Sequence, residues 1–203
     1  EGCKSITTIR MPISVETIGL TSLFGCTSIE YFDAPYEIID QLYNYSLDLS
    51  NEKRTKPNYV EAFRYAKIAA DCGKVDAMFK CYIMISKGEG TEKNYENELK
   101  YCKMAAENNH TEGMNAYGYL LHNAHQIDKD FREPLQYFLK SAEKGFYLAM
   151  NNCGIYYEFG YGTHKDLNKA LDYYKAAFAK GYKKAEEKIE YLERLLNTNA
   201  NSK

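Results

Sequence analysis

AMNNCGIYYEFGYGTHKDLNKALDYYKAAFAKGYKK, residues 149–184, decides the architecture, because the rest of the chain is copies of it or attachments to it. Displaced by 36 residues, the sequence falls onto itself: Ala77, Gly113, Ala149 and Ala185 coincide. Tyr65, Tyr101, Tyr137 and Tyr173 form a second column, and Ala69, Ala105, Ser141 and Ala177 lie four residues after it. Gly73, Asn109, Gly145 and Gly181 form another, and Asn58, Asn94, Asp130 and Asp166 one more. A period of this length is the mark of a solenoid, in which each short unit buries its apolar face only by stacking on its neighbours.

Each copy predicts two helices. Helix A runs over about 149–159 and presents Met150, Cys153, Ile155, Tyr156 and Tyr157 at helical spacing. Gly160 and Gly162 end it, since glycine takes positive φ without steric cost. Asp166 is placed to cap helix B, its short side chain accepting from a free N–H of the first turn. Asn or Asp holds that position in all four copies, and Glu61 and Glu133 follow at the capping-box offset. Helix B carries Ala170, Tyr173, Tyr174, Ala177 and Phe178, and Gly181 stops it. Small residues, Gly118 and Gly154 on helix A with Ala69, Ala105, Ser141 and Ala177 on helix B, predict close backbone approach with the Tyr column as bulk over the contact.

These positions resemble the Sel-1-like repeat, a relative of the tetratricopeptide repeat. The residues that carry the resemblance are Ala149, Cys153 in place of Leu, Gly154, Tyr157, Gly160, Gly162, Asp166, Lys169, Ala170, Tyr173, Tyr174, Ala176, Ala177 and Gly181. The fold it implies is mainly α, an α/α superhelical solenoid over 36–196, with repeats 41–76, 77–112, 113–148 and 149–184, a capping helix 185–196 and a disordered tail 197–203. The first helix is expected over 36–45 and a polar loop over 46–57. Three departures stand out. The 41–76 repeat lacks the Gly-x-Gly turn, Tyr82 replaces the close-contact glycine, and the 113–148 repeat has Ala124-His125-Gln126 at the turn and Pro134 in the first turn of helix B. Proline there is expected to delay or weaken the helix start.

Residues 1–35 follow a different period, 23, through Gly2/Gly25, Cys3/Cys26, Ser5/Ser28, Ile6/Ile29, Ile9/Phe32 and Pro12/Pro35. Apolar Ile6, Ile9, Val15, Ile18 and Phe24 recur as in stacked β-coils. The stretch resembles the BspA-type leucine-rich repeat, which implies a short N-terminal β-solenoid fragment, the end of a longer region. Pro35 abuts the first helix, so the last coil is expected to pack on it as one body. Starting at Glu1 without Met or a signal peptide, the chain reads as a fragment or processed form.

Composition narrows the function. With 45% apolar residues the chain can bury a core, and 26 basic against 28 acidic residues, interspersed, leave a net charge of -2. That balance gives no electrostatic footprint for nucleic acid and no polybasic membrane patch. No apolar run approaches the ~20 residues of a membrane span. Cys3, Cys26, Cys72, Cys81, Cys102 and Cys153 follow the repeats without C-x-x-C spacing and read as small buried hydrophobes. Free thiols point to a reducing intracellular compartment, or to the cell surface if an upstream signal exists.

Catalytic signatures dissolve into the repeat. Gly88-Glu89-Gly90 and Gly160-Tyr161-Gly162 fall at the helix A–helix B turn and follow no strand, so they are not phosphate cradles. His122 and His125 lie three apart but lack the third and fourth ligands a transition metal needs. No catalytic, cofactor or metal residue is assigned. What remains is a surface stripe on helix A, at the third, seventh and tenth to eleventh position of each repeat. It supplies the candidate partner-binding residues Phe79, Lys87, Asn115, Tyr119, His122, Asn151, Glu158 and Phe159. Mixed aromatic, amide and charged side chains on a rigid concavity suit a peptide or helix. The resemblances imply a non-enzymatic adaptor binding a protein or peptide. The alternatives are a regulatory or targeting arm of a larger protein, such as a kinase or surface adhesin, and a secreted, cysteine-bridged enzyme acting on β-lactams. The latter form should carry two cysteines per repeat, and here only the 77–112 repeat, through Cys81 and Cys102, has one in each helix.

Overall fold

The computed structural model describes residues 8–11, 31–53, 56–124 and 130–200, and among these described residues nine helices follow two short strands. The strands are β1 (Thr8–Arg10) and β2 (Tyr31–Asp33). The helices are α1 (Tyr36–Leu49), α2 (Tyr59–Asp71), α3 (Val75–Lys87), α4 (Tyr95–Glu107), α5 (Thr111–Ala124), α6 (Arg132–Glu143), α7 (Tyr147–Phe159), α8 (Leu167–Ala179) and α9 (Glu186–Ala200). Helix A of the four repeats is α1, α3, α5 and α7, and helix B is α2, α4, α6 and α8. The chain divides into two units, residues 1–108 and 109–203.

In the N-terminal unit α1 packs on α2, α2 on α3, and α3 on α4. One core gathers Ile38, Leu42, Leu49, Ala62, Tyr65, Ile68 and Met84. A second is built on Ile39, Ala66, Ala69, Ala77, Cys81, Ile85, Tyr101 and Ala105, where the alanines let the helix axes close up. Helix α1 runs to Leu49, past the expected end at 45. Ser46 is the reason: fully buried, its Oγ donates to the Ala62 carbonyl at 2.7 Å, and Leu49 one turn on is buried too. The strands pair in parallel, Thr8 with Tyr31, Ile9 with Phe32 and Arg10 with Asp33, an offset of 23 residues. Ile9, Met11 and Ala34 pack against the first core. The rest of the expected β-coils, including Gly2, Cys3, Ile6, Val15, Ile18, Phe24, Gly25 and Cys26, lies outside the described residues. Two three-residue strands alone do not amount to a β-solenoid.

The C-terminal unit chains α5 to α9 in the same pairwise way. Its cores are Leu135, Phe138, Ala142, Ala149, Cys153 and Tyr156, then Ala170, Tyr174, Ala177, Ala185 and Leu192. Close approach occurs at Gly118 and Gly154 as expected, but the bulk above them comes from a different column. A Cβ on Gly154 would sit 2.7 Å from Tyr174 Cε1, and one on Gly118 would sit 2.9 Å from Phe138 Cε1. Tyr65 and Tyr101 of the Tyr column are buried, whereas Tyr137 and Tyr173 are only half-buried. In this unit Phe138 and Tyr174, one residue later, take the interior.

Three of the four expected caps form. Asn58 accepts from Glu61 N, Asn94 from Asn97 N and Asp166 from Lys169 N. The capping box does not close at Glu61: its carboxylate binds Arg64 at 2.6 Å, and Asn58 N already donates to the Leu49 carbonyl. Asp130 accepts from Arg132 N two residues on and pairs with the Arg132 guanidinium at 2.6 Å. Helix α6 therefore starts one residue later in its repeat than α2, α4 and α8, with buried Pro134 in its first turn, where the missing N–H has no intrahelical partner to lose. At the other end α9 continues through Ala200, so residues 197–200 of the expected tail are helical, and Thr198 Oγ1 donates to the Leu195 carbonyl at 2.9 Å.

Candidate functional site

In the N-terminal unit the helix A stripe supplies Phe79 and Lys87. Phe79 is half-buried, its ring stacked on Tyr82 with centroids 5.5 Å apart, and it packs against the second core. Lys87 is exposed, with its ammonium 3.6 Å from Glu89.

The C-terminal unit brings more of the stripe together. Asn115 Oδ1 accepts from Asn152 Nδ2 at 2.9 Å, so α5 and α7 are bridged by an amide pair next to half-buried Asn151. Tyr119 and Phe159 are 57% and 54% exposed, large for rings on helices whose other faces are packed. His122 is held inside an aromatic cluster. Its Nδ1 lies 2.7 Å from the Tyr156 hydroxyl, its ring stacks on Phe131 at 5.0 Å, and Tyr161 is 5.9 Å away. Tyr161 in turn stacks on Phe159 at 5.6 Å, linking cluster and surface. His125 lies outside the described residues. Among the described residues no group of three or more His, Cys, Asp and Glu side chains is placed to hold a metal ion.

Glu158 is turned inward. Only 7% exposed, it accepts from the Tyr174 hydroxyl at 2.6 Å and from Lys188 at 3.2 and 3.3 Å. Burial and the adjacent carboxylate push the Tyr174 phenol well above its ordinary pKa, so it is a fixed donor to Glu158. The carboxylate thus pins α9 and α8 to α7, and its neighbour Phe159 is the group left facing out. Cys81, Cys102 and Cys153 are buried and in no disulfide, and burial raises their pKa, Cys153 to about 12. Cys72 is half-buried, and Cys81 and Cys102 are not bridged to each other.

The sequence reading stopped the stripe at Phe159, yet α9 continues it. Tyr191, 51% exposed, shares the column of Ile83, Tyr119 and Ile155, and Leu195 shares that of Phe159. The 36-residue phase already marked both. The polar residues of 185–196 give that segment the look of a cap and mask the two apolar positions.

The Sel1 repeat matches residues 42–74, 76–110, 111–146 and 148–182, well over half of the chain. The chain belongs to the Sel1 repeat family. Among solved structures, a Sel1 repeat protein from Oxalobacter formigenes is 28% identical with a TM-score of 0.68, covering 74% of this chain and 62% of its own. A protective antigen of uropathogenic Escherichia coli strains, with an SLR fold, is 20% identical with a TM-score of 0.70, covering 76% and 33%. The chain thus spans less than two thirds of either relative. No curated protein matches it. Sel1 repeat proteins are in general non-catalytic helical scaffolds for protein interaction. Among the described residues no helix is long and apolar enough to cross a membrane.

Proposed function

We propose that this Sel1 repeat protein is a non-enzymatic scaffold that holds a protein or peptide partner, rather than nucleic acid, along the exposed stripe of its A-helices. The observation that carries the reading is the pair of large rings, Tyr119 and Phe159, left more than half exposed on helices whose opposite faces are fully spent on packing. Rigid aromatic side chains bury much area for little lost rotamer freedom, which is why they dominate interface hot spots. The Asn115–Asn152 pair beside them leaves one amide donor group and one acceptor for a partner's backbone. Phe79 and Lys87 hold matching repeat positions in the N-terminal unit.

Selecting a phage-displayed peptide library on the intact chain tests this. Selected peptides should lose about tenfold or more in affinity for a Tyr119→Glu, Phe159→Glu double variant, a hot-spot-sized effect. Peptides that bind the variant undiminished would refute the reading.

A second reading concerns residues 1–35. The 23-residue register of β1 on β2, together with Ile9 and Met11 against the first helical core, supports a leucine-rich-repeat coil that ends by packing on α1. Replacing Ile9 by Asp should then destabilise the 36–72 helices as well as the strand pair, seen as lost amide protection in both by hydrogen exchange.

A further inference from the structure

Two recesses meet at Tyr191 on α9. The first, of about 430 Å³, is lined by Phe159 and Tyr191 with Glu158, Glu187 and Lys188. The second, of about 290 Å³, is lined by Tyr191, Arg194, Leu195 and Thr198 and is chiefly apolar.

The first recess is built for positive charge. Its two carboxylates face one ammonium. Lys188 is committed to buried Glu158, which leaves Glu187 exposed on the rim as the surplus negative charge. Ring faces attract cations through their quadrupole, and the chain already uses this: the Lys188 ammonium lies 5.9 Å from the Phe159 centroid. Tyr191 offers a second, half-exposed ring. The second recess has no such demand and accepts an aliphatic side chain against Leu195.

We propose that this end of the molecule docks a peptide segment in which an arginine or lysine adjoins an aliphatic residue. The cation enters between the rings of Phe159 and Tyr191 toward Glu187, and the aliphatic side chain covers Tyr191 and Leu195. This rests on the scaffold reading above and deepens it: the partner is basic-apolar, and α9 is part of the reading surface as well as a cap. An acidic partner meets Glu187 as a like charge and is rejected.

The test is a titration of the intact, 15N-labelled chain with acetyl-Gly-Ser-Arg-Leu-Ser-Gly-amide, followed by amide shifts. Two control peptides replace Arg by Glu, or Leu by Ser. The Arg-Leu peptide should shift amides over residues 187–195, and the Glu-Leu peptide should not. Glu187→Lys and Tyr191→Ala should each weaken binding about tenfold, Glu187→Asp should keep it, and added salt should weaken it. Both residues are exposed, so the variants fold, and circular dichroism verifies it. Equal binding of the Glu-Leu peptide, indifference to Glu187→Lys, or no shift with any peptide overturns the proposal. Shifts confined to Tyr119 and Asn151 with α9 silent overturn it too, while leaving the scaffold reading standing.

Discussion

Replacing Gly154 by alanine should destabilise the protein, against the intrinsic preference of helices. In a helix interior, alanine is favoured over glycine by about 0.8–1.0 kcal/mol. At this site the new Cβ would lie 2.7, 2.8 and 3.0 Å from three ring atoms of Tyr174. Ordinary carbon–carbon contact is about 3.5–4.0 Å, so the ring must retreat by most of an ångström. It has nowhere to go: Tyr174 is 0% exposed and its hydroxyl is tied at 2.6 Å to Glu158, which also holds Lys188. Overpacking of this kind costs about 1–3 kcal/mol. Set against the propensity gain, the net loss is up to about 2 kcal/mol, a fall in Tm of up to about 8 °C for a chain of this length. Urea and thermal melts followed by circular dichroism measure it. The sharper observation is a change of sign. With Tyr174→Leu already in place the obstacle is gone, and Gly154→Ala should then stabilise by up to about 1 kcal/mol. If Gly154→Ala stabilises the otherwise unchanged protein, the ring is free to move and the account of this packing is wrong.

Gly162→Ala should be worse, by about 3 kcal/mol or more, because φ is 61° there and the Cβ would lie 2.4 Å from the Phe131 carbonyl; an intact Tm would contradict this. Glu158→Ala should lose about 2–3 kcal/mol by stranding the buried Tyr174 hydroxyl and freeing Lys188, and a loss under about 0.5 in urea melts would show the contact to be idle. In a chain with Cys3 and Cys26 replaced by serine, Cys72 should react with a thiol reagent in the folded state, whereas Cys81, Cys102 and Cys153 should wait for urea; rapid labelling of all four would overturn their placement. Stability should also fall in alkali. Burial raises the folded pKa of Cys81, Cys102, Cys153, Tyr101, Tyr156 and Tyr174 above ordinary values of 9.0 and 10.0. The native state then keeps protons the unfolded chain gives up, so stability holds below about pH 9 and drops as pH climbs toward 12. Melts that stay level through pH 11 would refute this.

The repeat, its helix pairs and three of its four caps were legible because each rests on local chemistry repeated at fixed phase. Register was harder. Tyr173 and Tyr174 are adjacent and both fit a helical stripe, so period alone did not say which ring sits over Gly154. The capping box failed where a nearer partner, Arg64, outbid the backbone for Glu61, and Asp130 was diverted by Arg132 in the same way. Glu158 read as surface because it occupies the outward stripe by count. Its two partners, Tyr174 and Lys188, lie 16 and 30 residues downstream, and only the fold brings them in. His122 was hidden likewise by Tyr156, 34 residues away. Tyr191 and Leu195 were marked by the phase all along, and only the expectation of a polar cap obscured them.

The seating of Tyr174 over Gly154 and of Phe138 over Gly118 has a bearing on how such arrays diversify. Twenty residues separate each glycine from its ring, and at the same spacing the 77–112 repeat has Tyr82 with Cys102, and the 41–76 repeat Ser46 with Ala66. Large and small have traded helices from one copy to another, so α3 joined to α8 would set two tyrosines on one seat, and α7 joined to α4 would leave it empty. Recombination, in nature or on the bench, should therefore transplant whole hairpins intact and fail when its crossovers fall between the two arms.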